Sequence, residues 1–553
     1  MLGPAAHHIH DSRRDGRFTV TQGARYSGTA PIGLADGWEV RRLTPPSRLF
    51  GANGLRTGPD DRVYVAQVAG SQISALDIGT GALETVSAKG GDIIAPDDLA
   101  FDADGNLIAT EYMDARVSVR ASDGSTRVLR DDLPGANGIT VHNGRLFVNE
   151  CRIGGRLMEL PLDGGAPRVL HDNLPMPNAM EVGPDGLLYY PVMGTNDIWR
   201  IDPDGGVPER VVGDLGTPDS VKFDPQGRIV STQVRTGEVL RIDPRNGERS
   251  VLAKLAPGLD NCTFVGNRLF VSNFSGEITE ILDAGRTRTV LAGGLMWPLD
   301  LTVDHAGDLY VADGTFFYGL RGGELHTLAS LFSTGTPGYV RGVTAVGPDE
   351  FLCTTSSGQV CHYRTGPEPH TELLAEGFDQ LYGVAANAHR TIVAELGTGR
   401  VLSIRSGGAE VLAAGLDAPR GVALGRDGTA FVAESGAGRV VSIGDAGVTT
   451  VVDGLRTPHG ILVRGTQLLI VDVGLTALLS VDLETGTRRT VATDLPVGAP
   501  PGVNPKPLRG TPPFSGPMGP FAGIAAGPDG TVYLSADAEG SVLALRYTEG
   551  LAQ

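Results

Sequence analysis

Apolar residues come in short runs separated by turns rich in Gly, Asp and Pro, and no long stretch follows the helical period. The run PDSVKFDPQGRIVSTQ, from Pro218 to Gln233, shows the unit. A polar residue, Asp219, opens a short apolar strand. An Asp-x-x-Gly turn follows, and a second apolar strand ends on polar Gln233. The same order recurs in APDDLAFDADGNLIATE from Ala95, GANGITVHNGRLFVNE from Gly135 and MPNAMEVGPDGLLYYP from Met176. It returns in APRGVALGRDGTAFVAE from Ala418 and TPHGILVRGTQLLIVD from Thr457. A third strand (EVLRID, RVVSIG) and a fourth (RTVLA, TTVVD) complete each unit. Self-similarity at about 40 residues with four strands per repeat predicts β-propeller blades.

Twelve copies are present. Twelve blades in one ring would leave a very wide hole, so the expected fold is all-β, with two tandem six-bladed propellers. The expected organisation is an N-terminal tail over 1–37, a first propeller over 38–285 and a second over 286–553. The last repeat lacks a fourth strand, and an orphan strand, WEVRRL, stands near the start. Two closures are open. Either the orphan strand completes blade 12, or it closes blade 6 while RTRTVLA (Arg286 to Ala292) closes blade 12.

The start of a hairpin's first strand and the end of its second lie at one end. In a propeller both therefore face one mouth of the channel. In the first propeller the first-strand position reads Asn53, Asp97, Asn137, Asn178, Asp219 and Asp260. The second-strand ends read Gln67, Glu111, Glu150, Gln233 and Asn273, with Pro191 in the departing blade. Asn and Asp begin strands well by capping turns. That explanation should hold equally for the second propeller, where the first-strand series is Leu299, Arg341, Tyr382, Arg420, His459 and Ala522. The contrast points to an oxygen cluster suited to a hard divalent cation such as calcium or magnesium. Three Asp converging on one axis repel each other unless a cation or a proton intervenes.

The contexts GANG with Asn137, MPNA with Asn178 and TPDS with Asp219 resemble the SMP-30/gluconolactonase/luciferin-regenerating family. The resemblance implies a six-bladed propeller holding one divalent metal (Ca, Mg, Mn or Zn) in its channel. Asn137, Asn178 and Asp219 would be ligands. The family's Glu has no counterpart, because Asn53 stands at the first-blade position; Asp97 or Glu111 would have to supply the missing charge. The implied activity is hydrolysis of a small ester or lactone. The metal would act on the carbonyl, and Asp219 or a nearby carboxylate would take the water's proton.

The second-strand ends of the second propeller are Asp313, Glu395, Glu434, Asp472 and Asp537, with Thr355 the exception. Beside Arg341, Tyr382 and Arg420, such a lining is expected to bind an anionic substrate and move a proton. PHGI (Pro458 to Ile461) and the FVAE pattern resemble streptogramin (virginiamycin B) lyase, which implies His459 as base and Glu434 or Glu395 as a magnesium or orienting group. Blade-to-blade Arg–Glu pairing without chemistry is the plain alternative. A third expectation is a non-catalytic binding propeller with a structural metal.

The connection between blades 11 and 12, Pro496 to Pro520, is about twenty residues longer than usual and Pro-rich. It is expected to be a lid, to pack between the propellers or to seal closure. The net charge of −18 argues against nucleic acid as a partner and leaves a small-molecule substrate. No secretory or membrane-spanning run is evident, and a cytoplasmic home is expected. Of the four cysteines (Cys151, Cys262, Cys353, Cys361), Cys353 and Cys361 would face each other across a hairpin; two reduced, buried thiols are expected. His7, His8 and His10 are expected in a mobile tail.

Overall fold

A computed structural model of the protein describes residues 25, 31–405, 408–445, 447–500, 502–512 and 515–548. His7, His8 and His10 lie outside the described residues. The strands form twelve antiparallel sheets, eleven of four strands and one of five. Blades 1 to 6 span 55–87, 96–130, 136–174, 181–212, 222–254 and 259–291. Blades 7 to 11 span 298–330, 340–375, 381–413, 419–452 and 458–493, and blade 12 spans 524–547. The second strand of many blades is buried along its length, as in Val63–Gln67 and Ala430–Glu434. The fourth strands are the most exposed, and several are charged, as in Arg249–Lys254. Charged outer strands keep the blade edges from pairing with another chain.

Two rings close separately. The first strand of blade 6 lies beside that of blade 1, where the Ser272 hydroxyl donates to the Asn53 carbonyl at 2.7 Å. The first strand of blade 7 lies beside that of blade 12, where Gly523 N–H donates to the Leu299 carbonyl at 2.9 Å. The closure follows the first of the two expected routes. Trp38–Arg42 pairs with Ser541–Tyr547 and completes blade 12, while Thr287–Leu291 stays on blade 6. The expected boundaries shift accordingly. Residues 38–42 belong to the second propeller and 287–291 to the first.

The expected tail is also partly structural. Gly33–Leu34 adds a fifth strand to blade 11. Arg25 lies where the propellers meet. Its guanidinium donates to the carbonyls of Leu49 (3.0 Å), Leu295 (3.3 Å), Met296, Asp537 (2.7 Å) and Ala538 (3.1 Å), and it stacks on Phe50. Burial lowers its pKa to about 10, against the raising effect of Asp313, Asp537 and Glu539.

The Asp-x-x-Gly turns behave as their chemistry predicts. The Asp102 carboxylate accepts the N–H groups of Asp104 (3.0 Å) and Asn106 (2.8 Å), and Gly105 takes φ 79°, which a side chain would resist.

The polar mouths of the two propellers face each other. Val68, Ala69, Ile94 and Met113 of the first pack against Met296, Trp297, Tyr382 and Phe521 of the second. The long Pro-rich connection lies in the seam, so of its three expected roles it takes the packing one. On one side Arg509 N–H donates to the Met113 carbonyl (3.0 Å), the Thr511 hydroxyl donates to the Tyr112 backbone carbonyl (3.2 Å), and the Arg509 guanidinium pairs with Asp114 (3.1 Å). On the other, Gly516 N–H donates to the Ser356 carbonyl (2.9 Å), and Arg341 and Arg420 donate to the carbonyls of Gly519 and Pro520. All four cysteines are free and buried, and Cys353 lies directly across from Cys361. No helix is long and apolar enough to cross a membrane among the described residues.

Candidate functional site

A local irregularity aims the first-strand residues at the channel mouth. The ladder slips between Pro96 and Leu99, Ala136 and Ile139, and Leu259 and Cys262, placing Asp97, Asn137 and Asp260 in bulges. Asn178 and Asp219 follow the isolated bridges Pro177–Val192 and Pro218–Gln233. A bulge turns its extra residue out of the pleat. Pro is tolerated at such a strand start because no ladder bond needs its missing N–H.

The six side chains of Asn53, Asp97, Asn137, Asn178, Asp219 and Asp260 line one small cavity, about 70 Å³, between the propellers. Asp97, Asp219 and Asp260 are only 8%, 3% and 4% exposed. Two carboxylates take an amide each: Asn178 Nδ2 donates to Asp219 Oδ2 at 2.9 Å, and Asn53 Nδ2 to Asp260 Oδ2 at 3.1 Å. No described cation pairs with any of the three. Burial, then the neighbouring Asp98 charge, pushes the Asp97 carboxyl up to about 8. Burial, then the Asp97 charge, drives Asp219 well above the usual range; burial, then the Asp219 and Asp97 charges, does the same to Asp260. Such carboxyls need protons or a cation at neutral pH.

The donor set of carboxylate and amide oxygens fits a hard cation. No three His, Cys, Asp or Glu side chains among the described residues already converge on a point where a metal could sit. Amide oxygens would have to join the carboxylates, and Asn178 would have to turn its oxygen from the Ala179 N–H, which it now accepts at 2.8 Å. The channel below the cluster is filled. Arg56 and Lys222 pair with Glu181 at 2.8 and 3.2 Å, and Arg56 also donates to the carbonyls of Leu99 and Ile139. The cavity therefore opens toward the seam between the propellers.

The second-strand ends do something else. The Glu111 carboxylate accepts Ile94 N–H at 2.6 Å and also bonds Ser118 and Arg116. The carboxylate of Glu395 accepts Asp379 N–H at 2.8 Å and pairs with Arg400 at 2.6 Å; that of Glu434 accepts Asp417 N–H at 2.9 Å and pairs with Arg439 at 2.5 Å. Gln67, Gln233, Asp313 and Asp472 likewise take N–H groups from the segment entering the first strand of their own blade. These residues are latches that satisfy otherwise orphaned N–H groups. The expectation of Glu111 as a metal ligand, and of Glu395 and Glu434 as catalytic groups, gives way to that role: none of them lines the cavity, and their oxygens are already committed.

In the second propeller the ladder slips at Leu381–Val384, Pro419–Val422 and Pro458–Ile461, and Tyr382, Arg420 and His459 occupy these bulges. Arg341 follows the same pattern after Val340. Arg341 stacks on Trp297 (5.3 Å) and Tyr382 (4.7 Å), and Arg420 on the same Tyr382 ring (4.7 Å). Burial alone would raise the Tyr382 phenol, but the two guanidiniums outweigh it and bring its pKa below the ordinary value. His459 is 2% exposed and stacked on Phe521; burial, then Arg420 and Arg341, drives its pKa far below the usual histidine range. Its Nδ1 has no hydrogen-bond partner among the described residues. Of this set Arg341 reaches the acid-lined cavity, and Tyr382 and Arg420 line an adjoining one.

The sequence reading missed the Arg56–Glu181–Lys222 plug and the cavity's apolar wall. Arg56 and Lys222 read as ordinary strand charges. Tyr112, Met193 and Phe274 follow strand ends and carry no motif, and Met176 reads as the lead-in to Asn178.

Fold and site together define a tandem pair of six-bladed β-propellers closed mouth to mouth around a cavity with an acidic cluster and an apolar wall. Residues 135–274 match the family model of the SMP-30/gluconolactonase/LRE-like region; this is 140 of the 553 residues and contains Asn137, Asn178, Asp219 and Asp260. No curated protein matches the chain. Among solved structures, a streptogramin B lyase is 18% identical, covering 50% of this chain and 94% of its own, with a TM-score of 0.37. Virginiamycin B lyase from Staphylococcus aureus is 17% identical, covering 50% and 96%, with a TM-score of 0.37. A gluconolactonase from Xanthomonas campestris is 17% identical, covering 45% and 96%, with a TM-score of 0.37.

Proposed function

We propose that the first propeller is a metal-dependent hydrolase of a small ester or lactone, with its site on the cavity between the propellers. The observation that carries this reading is the three buried carboxyls without a cationic partner, set among three Asn on one cavity, within or beside the segment that matches the family model. Asn137, Asn178 and Asp219 would hold one hard divalent cation, with Asp260 next to them. Such an ion supplies Lewis acidity toward an ester carbonyl. Asp97 has no side-chain hydrogen bond among the described residues and a pKa raised to about 8 by burial and Asp98. A cation bound beside it would favour the carboxylate form, which could then take a proton from the attacking water. Asn53 orients Asp260 through its amide, and the apolar wall of Met176, Met193 and Phe274 limits water around the scissile bond. The product of a lactone would be a hydroxy acid.

The test is hydrolysis of a panel of lactones and aryl esters by the full chain with added divalent ions. Turnover lost in Asp219→Ala and Asp97→Asn but kept in His459→Ala supports the reading. Turnover kept in Asp219→Ala, or no hydrolysis of any member with any ion, contradicts it. A second reading, elimination with His459 as base, is favoured by its unbonded Nδ1, but would have to run without Glu395 and Glu434, which serve as latches. Loss of turnover in His459→Ala alone would move the assignment there.

A further inference from the structure

We propose that Arg341 and Arg420, bridged by Tyr382, form an oxyanion-binding subsite, so that the second propeller recognises a carboxylate or phosphate group on the molecule entering the cavity. The two guanidiniums flank one phenol ring, each 4.7 Å from its centroid. Arg341 is 2% exposed, and its charge is influenced by Tyr382 and Arg420 but by no carboxylate. A buried guanidinium without a counter-anion is costly, and in a chain of net charge −18 carboxylates are plentiful. Among the described residues no carboxylate forms an ion pair with either guanidinium.

The bonds the pair does make leave capacity over. Arg341 Nη2 and Arg420 Nη1 donate to the Gly519 and Pro520 carbonyls and hold the end of the long connection. Both guanidiniums also interact with the Tyr382 phenol, and Arg341 Nη1 and Arg420 Nε are buried with no acceptor among the described residues. Unused N–H groups on a planar fork match the oxygens of a carboxylate or phosphate. Trp297 and Tyr382 hold the planes of the fork in place by stacking.

The location links this subsite to the acidic cluster. Arg341 lines the same cavity as Asp97, Asp219 and Asp260. Arg420 and Tyr382 line the adjoining cavity with Lys89 and Lys506, and Ala69, Trp297, Leu508 and Met518 border both. A small molecule with an oxyanion at one end would therefore reach from the basic mouth toward the acidic one. This last step rests on the hydrolase reading; the anion subsite stands without it.

Trp297 under Arg341 offers a direct probe, since the two other tryptophans lie elsewhere, Trp38 on the outer strand of blade 12 and Trp199 on the third strand of blade 4. Acetate and inorganic phosphate are titrated into the full-length protein against chloride at matched ionic strength, with tryptophan emission read out. The expected result is a saturable change with one or both oxyanions and none with chloride. Binding by acetate alone or by phosphate alone supports the subsite and identifies the group it takes. Affinity should fall at least tenfold in Arg341→Met and Arg420→Met, and about fivefold in Arg341→Lys, which keeps the charge and guards against misfolding. Asp219→Ala should bind the oxyanion as the parent does, so that loss of the metal site and loss of the anion site are told apart. No saturable change beyond chloride, or unchanged affinity in Arg341→Lys and Arg420→Met, overturns the proposal.

Discussion

The two propellers use one blade plan and present opposite mouths. Both set a residue into a bulge at the start of the first strand, and both latch the end of the second strand onto incoming backbone. In the first propeller the bulged residues are Asn and Asp; in the second, Arg, Tyr, Arg and His dominate. The latch is the same in both: Gln67 and Glu111 in one, Glu395 and Glu434 in the other. What differs between the rings is where the chemistry lies, and what is shared is scaffold. The first-strand position can change type without harming the sheet because its side chain faces the channel mouth, while its backbone N–H can still bond the second strand, as Asn53 and Asp219 do. The latch cannot, because an N–H depends on it.

The largest effect should come from breaking the acidic mouth. Asp219→Ala is expected to lower hydrolysis about a hundredfold or more while the fold persists, as measured by steady-state turnover and circular dichroism. Next is the pH response of the metal-free protein. Asp97, Asp219 and Asp260 have folded pKa values above the unfolded value of 3.8, so the native state binds more protons than the unfolded chain. Stability therefore falls as pH rises from about 4 to about 8, on the order of several kcal/mol over that window. Thermal scans of chelated protein should show Tm dropping across it, and excess divalent ion should recover Tm at the alkaline end. A flat profile would mean that the three carboxyls titrate normally.

Breaking a latch should do the reverse of breaking the mouth. Glu434→Ala strands the Asp417 N–H and the Arg439 charge, at about 2 kcal/mol, and should leave turnover unchanged. Loss of turnover with unchanged Tm would restore Glu434 to a catalytic role. The smallest expected effect is Arg25→Ala. It removes donors to carbonyls of both propellers but also a buried charge, so a net loss of about 1 to 2 kcal/mol is expected in denaturant unfolding.

Much of this was legible in the sequence. The repeat, the turn chemistry and the six Asn/Asp positions rest on local spacing, which a one-dimensional reading captures. Strand exchange was not, because WEVRRL and RTRTVLA are equally good outer strands and only the closed rings choose between them. Glu395 and Glu434 were misread for a physical reason: an acid at a channel mouth looks catalytic until its partner is known, and the partner is a backbone N–H. The regular interval from latch to N–H, 17 residues in Gln67–Phe50, Glu111–Ile94 and Glu434–Asp417, is the signal that would have revealed it. Arg25 carried no signal, since a lone arginine in a polar segment does not announce the seam it enters.

The most direct test of the central claim, that chemistry lies at the first-strand bulges and not at the second-strand ends, is divalent metal content by elemental mass spectrometry. Three proteins purified without chelator are compared: the parent, Asp219→Ala and Glu111→Gln. The account predicts about one divalent ion per chain in the parent and in Glu111→Gln, and none in Asp219→Ala. An ion kept in Asp219→Ala, or lost in Glu111→Gln while its fold is intact, would contradict it.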